Sequence, residues 1–192
     1  MTANFHFSRS HFHPSWIEIR ENNQVVQEIE IAFPLKQLPN IVFLTLDEAL
    51  QWLKTIERKM AKNQALRFLA RQALASSMLF RKLQDKGYCK EVCREVIDDC
   101  RQYGYLPDEQ VWPRLVEREL EKGYGPRWIE WKWKAKGLPD GLVAAIATAK
   151  RQREAIRKIL QKQKKSESKK IAQVLLRRGF EMNLILQEIE IF

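Results

Sequence analysis

Cysteine is scarce in this 192-residue chain: there are three, Cys89, Cys93 and Cys100. An odd number within one predicted helix excludes the disulfide framework of small secreted domains and points to reduced thiols. Cys89 and Cys93 stand four residues apart, but no nearby Cys or His pair completes a set of four metal ligands, so the thiols are read as structural. Histidine is equally sparse, and His6, His11 and His13 gather at the amino end, where His-Phe alternation suggests a frayed or strand-like start rather than a metal site. No apolar run approaches the roughly 18 residues of a spanning helix. The opening MTANFHFSRSHFHPS holds no signal-peptide core, so a cytoplasmic protein without a membrane role is expected.

Catalytic motifs are missing as well. There is no HExxH, no GxSxG and no phosphate loop, and no cofactor is expected. Two acidic pairs remain. Asp98 and Asp99 are neighbours on a predicted helix, where adjacent side chains diverge, while Asp108 and Glu109 fit a helix start. The chain is therefore expected not to be an enzyme.

What is present is apolar content of 45% and a formal charge of +10. The first is enough for a real core, and the second favours an acidic partner, nucleic acid or an acidic protein surface. The charge is uneven: residues 1–61 carry a net −1, 62–104 carry +4, 105–149 carry 0 and 150–192 carry +7. The densest stretch, KRQREAIRKILQKQKKSESKK, keeps Ala155, Ile156, Ile159 and Leu160 on one side, as a solvated helix with an apolar stripe does. Solubility alone is an equally good account of such a basic face.

Strand signals are confined to residues 16–46. Ile17 and Ile19 alternate with charges, and Ile29, Ile31 and Phe33 do so after the polar break Glu21-Asn22-Asn23, which predicts a small hairpin. Leu44-Thr45-Leu46 is a candidate third strand. Asp47 is placed to cap a helix carrying Leu50, Leu53, Ile56 and Met60 at helical spacing.

From there helices dominate and repeat. Aligning Gly87, Gly137 and Gly179 brings three segments into register. Eight positions before each glycine stand Leu79, Ile129 and Ile171; four before stand Leu83, Trp133 and Leu175; five after stand Val92, Leu142 and Leu184. These columns are the expected buried face. Eleven positions before stand Ser76, Pro126 and Ser168, read as two caps and a first-turn proline. The predicted architecture is mainly α, with tandem three-helix repeats in a curved array and a small N-terminal β-hairpin region. Its divisions are 1–61 for the hairpin and the start of a linking helix, then repeats at 62–107, 108–149 and 150–192.

The aromatic residues concentrate in EKGYGPRWIEWKWKAKG, residues 121–137, where three tryptophans lie among lysines and arginines. Gly123 to Pro126 forms a corner between helices. Ile129 and Trp133 share the buried columns, Trp128 lies at their border and Trp131 falls on the opposite side, exposed. An exposed ring beside Arg127, Lys132 and Lys134 suits partner contact, by anchoring on protein or stacking on an unpaired base; packing against a neighbouring repeat is the alternative.

KLQDKGY, EVIDDCRQYGYLPDEQVW, KGYGPRWI and KAKGL occur in an order and spacing that resemble the RecX family of regulatory proteins over roughly residues 62–192. The chain departs from the family pattern at Pro107 and at Trp112-Pro113, where an interior proline would kink a helix, and its third repeat matches weakly. The resemblance implies three three-helix repeats and no catalysis. It also implies binding to RecA protein and the RecA–single-stranded-DNA filament, with restraint of ATP hydrolysis, strand exchange and stimulated LexA cleavage. On this view Arg81, Lys82, Lys86, Arg127, Trp131, Lys132, Lys136, Arg153, Arg157 and Lys158 are the candidate contacts to partner or nucleic acid. Direct DNA contact is possible, and a monomer is expected. The alternative is a stand-alone basic helical module that binds nucleic acid by itself.

Overall fold

The computed structural model describes residues 4–10, 15–31, 41–162 and 168–191. His11, His13 and Phe33 lie outside them. Two compact units are present, Met1–Leu106 and Pro107–Phe192.

The first unit opens with a three-stranded antiparallel sheet in the order β1 (Phe5–Arg9), β2 (Trp16–Glu21), β3 (Gln24–Glu30). The expected hairpin is β2–β3. Its turn residues Asn22 and Asn23 have φ of 48° and 69°. Asparagine tolerates this left-handed region better than other non-glycine residues, and two such residues give the turn whose twist matches its strands. Phe5, Phe7, Ile17 and Ile19 are buried beneath the sheet. Glu18, which alternation assigns to the outer face, is buried too, because Arg20 (2.7 Å) and Ser8 (3.2 Å) hold its carboxylate. The Arg20 hydrogen bond keeps that carboxyl below its ordinary pKa.

The third strand is not Leu44–Leu46. It is β1, drawn from the His-Phe alternation at the amino end, while Phe43 makes an isolated bridge with Phe5, their backbones exchanging two 2.8 Å hydrogen bonds. Nor is Asp47 the cap of α1 (Leu46–Leu69): the Glu48 amide donates to Thr45 Oγ1 at 3.1 Å, and Glu48 reaches back to the Leu44 amide at 3.0 Å. A threonine three residues before a glutamate is a capping box, and its hydroxyl satisfies the first-turn amide that Asp47, already helical, does not reach.

Three helices follow the sheet into one core: α1, α2 (Ser76–Gln84) and α3 (Lys90–Gln102) pack on one another. Ala49, Leu53, Ala61 and Ala65 of α1 share one core with Leu79 and Leu83 of α2 and Val92, Cys93, Val96 and Cys100 of α3. Ser76 is the first helical residue rather than a cap, and its buried hydroxyl accepts from Arg101 at 3.0 Å. Buried Glu57 of α1 accepts from the Cys89 amide at 2.6 Å, so a carboxylate meets the positive end of α3. Cys93 and Cys100 sit in the core, where burial raises both thiols, Cys93 to about 12. Neither is thiolate at neutral pH, in keeping with a packing role.

The second unit contains two further sets of three: α4 (Asp108–Glu121), α5 (Pro126–Lys134) and α6 (Leu142–Ile146), then α7 (Ala149–Lys162), α8 (Ser168–Arg177) and α9 (Met182–Ile191). In the first set each helix packs on the others. In the second, α9 packs on both α7 and α8, and α4 joins the two sets through α7. Helix α4 runs through Pro113. Helices α2, α5 and α8 begin at the residues the repeat assigned, and each is followed by its glycine at φ of 86°, 90° and 88°. Leu79, Ile129 and Ile171 are buried as expected. The other columns hold less well: Trp133, Leu142 and Leu184 are half-buried. Helix α6 is one short turn and a half, too short to bury a full stripe.

One close approach within this unit fixes its geometry. The Gly125 amide donates to the Arg178 carbonyl at 2.6 Å and the Arg127 amide to the Gly179 carbonyl at 3.3 Å. A Cβ on Gly125 would lie 2.5 Å from Gly179 and Phe180 backbone atoms, and one on Gly179 would lie 2.4 Å from the Trp128 nitrogen. The α4–α5 corner and the α8–α9 turn therefore interlock backbone to backbone, which only glycines permit.

Candidate functional site

The α5 helix displays two faces of different character. Ile129 is fully buried against the unit's core, whereas Trp131 is 77% exposed, the most exposed large apolar side chain among the described residues. Arg127, Glu130, Trp131 and Lys134 are all exposed and follow helical spacing, so they form one stripe with the indole between two cations. Packing against a neighbouring repeat, the alternative for Trp131, is not what the structure contains.

The other two tryptophans are occupied inside the unit. Trp128 stacks on Tyr124 with centroids 3.7 Å apart, and Trp133 meets Trp112 edge to face at 6.5 Å. Lys132 lies between them, its ammonium 4.3 Å from the Trp128 ring centroid and 5.1 Å from that of Trp133. It also pairs at 3.7 Å with the buried carboxylate of Glu119, whose other oxygen takes Lys122 at 3.2 Å. Lys136 sits 4.4 Å from the Trp133 ring. Lys132, a candidate contact residue, is 32% exposed and its charge also helps hold α5 to α4.

On α7, Arg157 and Arg153 grip a single carboxylate, Glu188 of α9, which is 2% exposed. Arg157 binds it through two nitrogens and Arg153 approaches at 3.7 Å while also donating to Gln187 at 3.1 Å. The Glu188 hydrogen bond raises the Arg157 pKa further. Both guanidiniums remain about half exposed, so each keeps a face toward solvent. Lys158 is exposed and has no ion pair among the described residues.

On α2, in the other unit, Lys82 covers the Phe68 ring at 5.3 Å, and Arg81 and Lys86 are exposed. The candidate residues thus fall into three patches, one on α2, one on α5 and its following turn, and one on α7.

Sequence reasoning passed over two features. Tyr103 and Tyr105 flank Gly104 as an exposed pair with centroids 6.1 Å apart, and Lys62 stands 5.2 Å from the Tyr103 ring. Their signal was the alternation Tyr-Gly-Tyr at a helix end. The second is Arg178, just before a helix-stopping glycine, which donates to the carbonyls of Lys122 (3.4 Å) and Gly123 (3.3 Å). Among the described residues there is no cluster of three or more metal-ligating side chains, and no helix long and apolar enough to cross a membrane.

A family model for the first three-helix domain of RecX matches residues 61–100, which take in the end of α1, all of α2 and most of α3. Regulatory protein RecX of Caldanaerobacter subterraneus subsp. tengcongensis is 29% identical over 148 residues, spanning 74% of this chain and 75% of that protein. The chain is similar to RecX regulatory proteins over about three quarters of its length. A regulatory protein RecX from Legionella pneumophila is 28% identical over 134 residues, 65% of this chain and 89% of its own length. Two solved structures share the RecX fold seen here. A crystal structure of regulatory protein RecX covers 99% of the chain with a TM-score of 0.63 at 16% identity. RecX from Lactobacillus salivarius covers 72% with a TM-score of 0.59 at 21% identity.

Proposed function

We propose that this chain is a non-catalytic regulator of a RecA recombinase. It binds RecA and the RecA–single-stranded-DNA filament, in the cytoplasm and as a monomer, and lowers ATP hydrolysis, strand exchange and stimulated LexA cleavage, so modulating DNA repair and the SOS response. The similarity to RecX regulatory proteins carries this reading. The exposed Trp131 between Arg127 and Lys134 supports it, because a large ring framed by cations suits an acidic protein groove or an unstacked base. Arg81, Lys82, Lys86, Lys136, Arg153, Arg157 and Lys158 add electrostatic attraction that steers the encounter.

The test is the single-stranded-DNA-dependent ATPase of the cognate RecA, titrated with this protein from far below to above the RecA concentration. Inhibition at substoichiometric amounts is expected, with loss of inhibition in a folded Trp131→Ala variant. No inhibition at equimolar protein, with filaments confirmed, overturns the reading. Tight binding to naked DNA would then favour the stand-alone nucleic-acid module, for which the net charge of +10 is the motive. Its affinity would fall with log salt by about 0.9 per duplex phosphate contact or about 0.7 per single-strand contact.

A further inference from the structure

The α4–α5 corner, α7 and the end of α8 enclose a groove of ≈ 310 Å³ that the family reading leaves unassigned. Four cations line it: Lys122, Lys158, Lys162 and Arg178, over a floor that includes Ala155 and Ile159. Among the described residues, Glu121 is its one carboxylate. Such a concentration of like charge is unfavourable without a counter-charge, and what distinguishes this groove is how little of it is neutralised.

Lys122 is paired, through Glu119 at 3.2 Å. Arg178 is held but not neutralised: its Nη1 donates to the carbonyls of Lys122 and Gly123, and its guanidinium carbon is 5.7 Å from the Tyr124 ring centroid. Two uncharged acceptors fix the side chain and leave its charge and its other donors available. Lys158 and Lys162, one turn apart on α7, have no ion pair among the described residues. Gly123, at φ of 83°, suits this arrangement: a Cβ there would stand 2.8 Å from Arg178 Nη1 and 2.9 Å from Ile159 and would displace both side chains.

An adjoining groove of ≈ 290 Å³ provides the contrast. It shares Glu121, Ala155 and Lys158, but Glu117 and Glu154 line it too and Arg151 is paired with Glu117 at 3.0 Å. With three carboxylates against two cations, that groove has no reason to hold an anion.

We propose that the Lys122–Lys158–Lys162–Arg178 groove is a phosphate site that accepts two or more linked phosphate groups. Three cations with no carboxylate partner among the described residues, supplied by two segments, exceed what one phosphate needs, and a preset guanidinium matches phosphate oxygens in a fork. Linked phosphates come from two sources, a free oligophosphate or the backbone of a nucleic-acid strand. The inference does not depend on RecA.

The experiment records amide spectra of the full chain titrated with tripolyphosphate and, separately, with an oligothymidylate and its uncharged methylphosphonate analogue. Saturable shifts centred on Gly123, Lys158 and Gly179 are expected. The Lys158→Gln, Lys162→Gln double variant, which leaves the Arg178 hydrogen bonds intact, is expected to weaken binding by about tenfold. Glu121→Gln is expected to tighten it. Response to tripolyphosphate identifies the free source; response to the charged oligonucleotide alone, absent with the methylphosphonate, identifies the strand. No shift at Gly123 with either anion at millimolar concentration overturns the proposal, as does an equal loss of affinity in a Lys59→Gln, Lys90→Gln control.

Discussion

In the amino-terminal unit the ion pairs between helices lie on the surface; in the carboxyl-terminal unit they converge on two buried carboxylates. Helices α1 and α3 are laced by Lys54–Glu95 (3.0 Å), Arg58–Glu95 (3.5 Å), Arg58–Asp99 (3.1 Å) and Lys62–Asp99 (3.4 Å), every partner at least 21% exposed. Beneath that ladder lies a continuous apolar core shared with the sheet. The second unit instead buries Glu119 and Glu188 at 2% side-chain exposure and draws Lys122, Lys132, Arg153 and Arg157 onto them. Exposed ladders contribute little to stability, whereas a buried carboxylate must be matched or the fold suffers. Part of the strong positive charge of the second unit is therefore structural. The cations left for a partner are fewer than a count suggests, and Arg127, Lys158 and Lys162 stand out among them.

The sharpest way to break this contrast is at the glycine interlock of the second unit. Gly125→Ala places a Cβ against backbone that cannot rotate away. It is expected to destabilise the protein by about 3 kcal/mol or more. Spectral changes should concentrate in residues 107–192. A denaturant midpoint unchanged from the parent would mean that the two turns are not held together in solution.

A smaller effect separates the two uses of charge. Glu188→Gln keeps the shape of the side chain but removes the charged acceptor shared by Arg153 and Arg157, at an expected cost of about 2 kcal/mol. Arg58→Ala, which removes the centre of the surface ladder, is expected to cost about 0.5–1 kcal/mol and to cost less in high salt. Urea denaturation of both variants at two ionic strengths makes the comparison. Equal losses with equal salt sensitivity would show that burial does not distinguish them.

Much of this architecture is legible from residue order because it is local. The starts at Ser76, Pro126 and Ser168, the stops at Gly87, Gly137 and Gly179, and the stripe of Ala155, Ile156, Ile159 and Leu160 all follow from helical period and left-handed glycine. The exposure of Trp131 follows from the same period. Features set by distant partners are not legible in that way. Glu57, Glu119 and Glu188 look like solvated acids along the chain, and only tertiary contact reveals what each one holds. The strand at Phe5–Arg9 is chosen over Leu44–Leu46 because Thr45 and Glu48 commit the latter to a helix start. The phosphate groove joins residues up to 57 positions apart, from Glu121 to Arg178, beyond any periodic pattern.

The smallest expected effect on stability belongs to the residue with the largest expected effect on function. Trp131 is 77% exposed and has no ring contact among the described residues, whereas Trp128 and Trp133 are stacked or edge-packed a few residues away. Trp131→Ala should shift the unfolding free energy by no more than about 0.5 kcal/mol. Trp133→Ala, which opens space beside Trp112 and removes the ring that Lys132 and Lys136 cover, should cost about 3 kcal/mol, the low end for a large core aromatic because the indole is only half-buried. Thermal melts of the two variants decide the point. If they lose comparable stability, Trp131 is part of the packing and its failure to inhibit RecA would say nothing about an interface; if only Trp133→Ala loses stability, a loss of inhibition in Trp131→Ala reports contact with the partner itself.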